Sequence, residues 1–413
     1  MTRSPRADVL IVGGGIGGLT LALELHRRGI GCAVFEAAPD VKPLGVGVNL
    51  LPHSTQALGG LGLGPALARR AVETAESHFY NRFGQRIYRE PLGRAAGYEH
   101  PQFSIHRADL HEVLVDAVRE RLGAGAVQLG RKLAGFEQDP SGVHANFEHG
   151  ASARGAAVIG CDGIHSTVRR QLAPHEGEPR YSGVNMWRGV TRWPPFLSGA
   201  AMVRAGWLAT GKMVIYPIRN HIDADGRQLV NWVFEIETPQ HERWDWNRPA
   251  RVEDFVAAVA DWHFDWLDAP ALVRAAEFVL EFPMVDKDPL ERWSFGRATL
   301  LGDAAHPMVP RGSNGAGQAI LDARSLAEAL ARGPDVESAL AAYEASRRKP
   351  TTDIVLRNRS NPPDAILREV YQRTGDRPFT RIEDVISESE LRAISDGYKR
   401  VAGYDTASLR RGG

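Results

Sequence analysis

The chain of 413 residues has two cysteines, Cys32 and Cys161, no excess of either charge and no long apolar run. Each shortage excludes something. One cysteine opens an apolar run and the other precedes Asp162, so both read as packing residues of a reducing compartment, not as a disulfide framework. Fifty Lys and Arg against fifty Asp and Glu leave no basic field for nucleic acid or acidic lipid. No stretch approaches the ~20 apolar residues of a membrane span. The first strand-like run begins too close to the N-terminus to leave room for a signal peptide. The 14 histidines are scattered without ligand spacing, so no metal is expected. The expectation is a soluble cytoplasmic enzyme, monomer or homodimer, of one large or two ordinary domains.

Glycine is abundant, at 43 residues, so a lone G-x-G-x-x-G would carry little. Here the setting gives it weight. Val9–Val12 is a short apolar run of buried-strand type, and Gly13, Gly15 and Gly18 follow it, with Ile16 inside the motif. Residues 19–28 then continue at helical spacing, and Glu36 closes a second apolar run, Cys32–Phe35. Gly13 allows a tight turn, Gly15 lets the backbone approach a pyrophosphate, and Gly18 lets helix pack close to strand. The pyrophosphate meets the free N–H groups at the positive end of the helix. Glu36 can accept hydrogen bonds from an adenosine ribose. A dinucleotide site follows.

The far end of the chain says which dinucleotide. Residues 297–301 form a strand that runs into Gly302, Asp303, Ala304, Ala305, His306 and Pro307, then Pro310, then Gly312 to Gly317. Residues 318–330 are amphipathic, a helix whose start is rich in small residues. An acidic side chain such as Asp303 cannot serve a phosphate but suits a polyol hydroxyl. The amides of Gly315, Ala316 and Gly317 suit a carbonyl oxygen that gains negative charge. A flavin with its ribityl chain offers both groups; a nicotinamide dinucleotide does not.

With these residues the chain resembles the class A flavin monooxygenases, the family of para-hydroxybenzoate and salicylate hydroxylases. The likeness covers residues 8–360 and rests on three motifs in the family's order: the G-x-G-x-x-G with Glu36, the D-G-x-x-S-x-V-R pattern from Asp162 to Arg169, and Gly302-Asp303 with its glycine loop. It implies that Asp303 holds the ribityl chain, that Asp162 lies near FAD and the passing nicotinamide, and that Arg107 approaches the phosphates. Val46, Gly47 and Pro310 join the cofactor set. Within the family the local text most resembles the phenazine-modifying branch, 5-methylphenazine-1-carboxylate 1-monooxygenase. The segments that carry this are Pro43 to Asn49, Met186 to Val190, Tyr216 to Ile218, Asn231 to Val233 and Pro283 to Asp286. Many members carry an arginine just before the Gly45-Val46-Gly47 loop, linked to flavin movement. Here Lys42, Pro43 and Leu44 stand there, so gating lacks that side chain.

The expected fold is α/β, a Rossmann-like FAD domain (1–75, 100–180 and 278–360) interleaved with a mixed or antiparallel sheet domain for substrate (76–99 and 181–277). Residues 77–89 and 181–237 alternate as half-buried strands do, one helix is expected over 252–262, and 361–413 form a helical extension. FAD would be resident, and NADH or NADPH a transient co-substrate, since only one fingerprint is present. The resemblance implies that reduced flavin and O2 form a C4a-hydroperoxide that oxygenates an aromatic or N-heteroaromatic ring. The protein's task is then binding, orientation and exclusion of water. No catalytic side chain is assigned. Trp187, Tyr216, Trp232 and Pro310 fall where the resemblance puts the ring-facing surface, and Arg188 could hold a substrate carboxylate. The competing roles are sheet core for Trp232, a structural pair for Arg188 and a structural loop residue for His306. An FAD oxidoreductase that inserts no oxygen is the alternative activity. A halogenase is disfavoured because Trp244-Asp245-Trp246 continues as Asn247-Arg248, and a flavin sensor because the polar tail is short.

Overall fold

The computed structural model describes residues 9–40, 45–239 and 248–411. Val9–Val12 is buried at all four positions, without alternation, as the central strand of a parallel sheet must be. The order around it is Ala298–Leu300, Ala157–Gly160, Val9–Val12, Cys32–Phe35 and Val127–Gln128, every neighbouring pair parallel. The chain leaves Val9–Val12 toward both sides, and such a switch point opens a crevice at the carboxyl ends of the strands. Helix Ile16–Arg27 starts at that crevice and packs on helix Gly315–Arg332. Gly18 permits the close approach of helix to strand. A Cβ there would lie 2.1 Å from the Gly13 carbonyl oxygen and 3.2 Å from Ile11 Cγ2.

An eight-stranded sheet faces this crevice. Its order is Arg248–Ala250, Val279–Asp286, Arg180–Trp193, Gln228–Glu237, Gly211–Arg219, Ala201–Trp207, Glu76–Tyr80 and Arg86–Pro91. All pairs are antiparallel except Ala201–Trp207 with Glu76–Tyr80, so the sheet is mixed. Successive side chains alternate between its faces. Trp187, Ile215, Trp232 and Phe234 share one apolar cluster with Phe255, Val259 and Trp262.

Two expectations about these elements are corrected. The helix over 252–262 is instead two 3₁₀ turns, Val252–Asp254 and Val256–Val259, interrupted at Phe255. The Phe255 ring sits 5.4, 5.6 and 5.2 Å from those of Trp187, Trp232 and Phe234, and this packing overrides helical propensity. Residues 279–286, expected with the cofactor domain, form a strand of the large sheet. Their near-continuous apolar text mimics a parallel strand, because Phe282 and Met284 are buried against Val184 and Met186.

The tail forms helices Ala365–Thr374, Glu388–Val401 and Thr406–Arg411. It packs on the main body, with Ile366, Leu367 and Val370 against Phe79 and Ile87. Asp364, before the first tail helix, accepts from the buried Lys212 amine, which also donates to Glu235 Oε2 at 2.9 Å. Either acid left alone, or the lysine left bare, would strand a buried charge. Cys32 and Cys161 form no disulfide, and burial pushes the Cys161 thiol up. No helix among the described residues is long and apolar enough to cross a membrane. Lys42, Pro43, Leu44, Trp244 and Trp246 lie outside the described residues.

Candidate functional site

A cavity of about 580 Å³ occupies the crevice between the parallel sheet and the large sheet. Gly13, Gly15 and Ile16 line it from the first strand–helix turn. A Cβ on Gly15 would meet nothing within 4 Å, so the bare backbone borders open space at the helix start. Gly13 has φ +107°, and a side chain there would strike the Cys161 carbonyl. His111 braces the turn, its Nε2 2.7 Å from the Gly14 carbonyl oxygen. Gly18 lies behind the turn and does not line the cavity. Glu36 lines it while accepting from the Gly14 and Ala38 amides at 2.7 and 2.8 Å. These bonds fix the carboxylate at the strand end.

Opposite charges line the same cavity. Arg107 begins helix Arg107–Leu122, and its amide donates to the Val46 carbonyl at 2.9 Å. Asp303 stands at the end of strand Ala298–Leu300, in the short 3₁₀ turn Gly302–Ala304. Both side chains are exposed, and neither has an ion-pair or hydrogen-bond partner among the described residues. An unpaired guanidinium and an unpaired carboxylate in one crevice fit a ligand that carries both phosphates and hydroxyls, as FAD does. Pro310, Gly315 and Ala316 also line the cavity. Gly317 turns away, packing on His53 with its Cβ position 3.2 Å from His53 Cε1.

Asp162 lines the cavity, but its carboxylate is spent locally. It accepts from Ser166 Oγ at 2.5 Å and the Thr167 amide at 2.7 Å, at the start of helix Thr167–Leu172. Burial raises its pKa, opposed by these bonds. It is a turn-forming acid at the cavity wall. His306 is no part of the cavity lining. Its Nε2 lies 2.5 Å from buried Asp322, which also accepts from the Gly302 amide at 3.1 Å and from Arg347 Nε at 2.7 Å. Burial would raise the Asp322 pKa, but His306 and Arg347 outweigh it and hold it at about 2. The trio ties the Gly302 turn to helices Gly315–Arg332 and Val336–Ser360.

The large sheet contributes alternate residues. Arg188 and Tyr216 line the cavity beside Val46 and Gly47. Arg188 Nη2 donates to the Gly47 carbonyl at 3.0 Å, while its buried Nε has no partner among the described residues. Burial lowers the Arg188 pKa and raises that of Tyr216. Trp187 and Trp232 do not line the cavity. They sit on the opposite face of the sheet, and Trp232 Nε1 donates to Thr191 Oγ1 at 3.0 Å. The expectation that they face a ring is corrected by strand alternation: Trp187 precedes Arg188 and Trp232 follows Asn231. Sequence reasoning missed Asn231 itself, whose Oδ1 accepts from the Gly47 amide at 2.7 Å. It also missed Asn314, which lines the cavity from the loop before Gly315. Both are buried amides within segments already singled out, and residue type alone did not separate them from packing.

A family model described as an FAD binding domain matches residues 6–358. Phenazine 1,6-dicarboxylic acid hydroxylase PhzS of Lysobacter antibioticus is 41% identical over 411 residues, covering 97% of this chain and 98% of that protein. The chain belongs to the FAD-dependent aromatic monooxygenases. A 3-amino-4-hydroxybenzoate 2-monooxygenase of Streptomyces platensis is 37% identical, over 99% of this chain and 98% of its own length. The fold matches that of Klebsiella pneumoniae HpxO complexed with FAD and uric acid, with a TM-score of 0.80 at 24% identity over 97% of each chain. The protein is therefore an FAD-dependent enzyme. When bound, FAD supplies the redox chemistry, and this chain's residues hold and orient it.

Proposed function

We propose that this monooxygenase hydroxylates a carboxylated aromatic or N-heteroaromatic substrate, phenazine-like in shape, using NADH or NADPH and O2. One oxygen atom enters the ring, the other leaves as water, and the nicotinamide supplies the two electrons. The observation that carries the substrate class is Arg188. It is an arginine short of partners beside Tyr216, on the cavity-facing side of the sheet, where an anionic group would relieve its desolvation. The phenazine dicarboxylic acid named for the Lysobacter relative supports the same class. The Gly13, Gly15, Ile16 and Glu36 end of the cavity serves the adenosine and pyrophosphate. Arg107, Asp303, Pro310, Gly315 and Ala316 serve the phosphates, ribityl chain and flavin ring. The assignment of 1–75, 100–180 and 278–360 to cofactor and 76–99 and 181–277 to substrate then changes at one point, because residues 279–286 go with the large sheet.

The test is a panel of NADH and NADPH oxidation with phenazine, quinolone and hydroxybenzoate acids, with product, CO2 and peroxide measured together. Coupled consumption with at least one acid and incorporation of label from ¹⁸O₂ are expected. Product oxygen drawn from water would overturn the proposal. The nicotinamide dinucleotide should dissociate on gel filtration while FAD stays bound.

A further inference from the structure

The family match ends at residue 358, yet the tail beyond it reaches the loop that borders the cofactor cavity. Gly312 and Ser313 have φ of +91° and +58°, two successive left-handed residues, and only the first is a glycine. Such a turn persists only where its surroundings over-determine it. The surroundings here are Tyr398, from tail helix Glu388–Val401. Its ring is buried, and a Cβ on Gly312 would lie 1.9 Å from its hydroxyl oxygen. That hydroxyl accepts from Asn314 Nδ2 at 2.9 Å and donates to Asn358 Oδ1 at 2.7 Å. Asn314 Nδ2 donates back to the Gly312 carbonyl at 3.2 Å, and the Asn314 carbonyl accepts from the Gln318 amide at 2.8 Å. A continuous chain of bonds therefore runs from the tail to the first turn of helix Gly315–Arg332. Tyr404 adds a second point of support, with its ring 5.6 Å from that of His53, the residue on which Gly317 packs.

We propose that Tyr398 is a positioning residue for FAD. It fixes the 312–314 turn so that the Gly315 and Ala316 amides face the flavin pyrimidine, and the C-terminal segment thereby completes the cofactor site. The inference rests on the assignment of those two amides to the flavin. Removal of the tail would also take Asp364 from the buried Lys212, so the informative change is small: Tyr398→Phe, which keeps the ring and removes the hydroxyl that Asn314, Asn358 and the Arg311 carbonyl share. The FAD Kd, measured by fluorescence titration of the apoprotein, should rise about ten-fold. The flavin absorption bands should shift and the midpoint potential should become more negative, because the amides stabilise negative charge on the reduced ring. If Tyr398 is only a cover, the melting temperature falls while Kd, spectrum and potential stay at wild-type values, and the proposal is overturned. Should Tyr398→Phe not fold, Asn358→Ala on the main-body helix removes the acceptor of the same hydroxyl, and the same three readouts decide. Failure of the wild-type chain to bind FAD would instead strike the cofactor assignment and leave the Tyr398 geometry untouched.

Discussion

His53 should make the fold acid-sensitive between pH 6.5 and 4. The residue is 3% exposed, and its Nε2 stands 3.3 Å from Gln318 Nε2, where it can only accept. Burial first, and the charge of Arg347 second, lower its pKa from 6.5 to about 4. The protonated ring is thus penalised in the folded state alone. Stability is complete above the unfolded pKa and is lost as pH falls through 6.5, levelling off below the folded value near 4. At ~1.4 kcal/mol per unit, the gap is worth about 3 kcal/mol in full, and about 2 kcal/mol of it is lost by pH 5. The assay is urea unfolding of FAD-saturated protein at roughly pH 7.5 and pH 5, for wild type and His53→Leu. Carboxylates and other histidines titrate in both proteins, so the difference between their two losses isolates His53. The wild type should lose about 2 kcal/mol more than the variant over that step. Equal losses would mean that the ring does not titrate in this window, and the claim of a buried neutral His53 beside Gly317 would be wrong.

Two substitutions test the cavity directly. Asp303→Ala removes a carboxylate that lines the cavity without a partner among the described residues. If it serves the ribityl hydroxyls, the loss of about 1–3 kcal/mol should weaken FAD binding by roughly one to two orders of magnitude, and full flavin occupancy after gel filtration would refute the role. Arg188→Ala should raise KM for carboxylated substrates by about ten- to a hundred-fold more than for neutral analogues, whereas an equal loss on both would make Arg188 a brace for Gly47 alone.

The parallel core was legible because its residues state their environment. Val9–Val12 is apolar at every position, Gly13, Gly15 and Gly18 each have one steric job, and Asp303 follows a strand into a glycine loop. The large sheet was legible as a sheet but not as faces. Trp187 and Trp232 read as ring-binding aromatics, and the alternation that sends them into the outer core could have been followed from Arg188 and Tyr216 one strand position at a time. The 252–262 segment failed because the placement of the Phe255 ring is a tertiary fact. The tail was legible as helices, but its reach to the 312–314 turn was not, because Tyr398 bonds Asn314 across 84 positions. Neighbours on one strand supply the cleanest check of the corrected faces. Asn231 holds Gly47 toward the cavity, and Trp232 fills the core on the other side with its Nε1 on Thr191. Asn231→Ala should free the Gly47 amide and weaken FAD binding by about ten-fold, the scale of one buried hydrogen bond. Trp232→Phe should cost about 1–3 kcal/mol of stability through lost volume and an unpaired Thr191, with FAD affinity held within about two-fold. If Trp232→Phe instead weakened cofactor or substrate binding without lowering the melting temperature, the assignment of the two faces would be reversed.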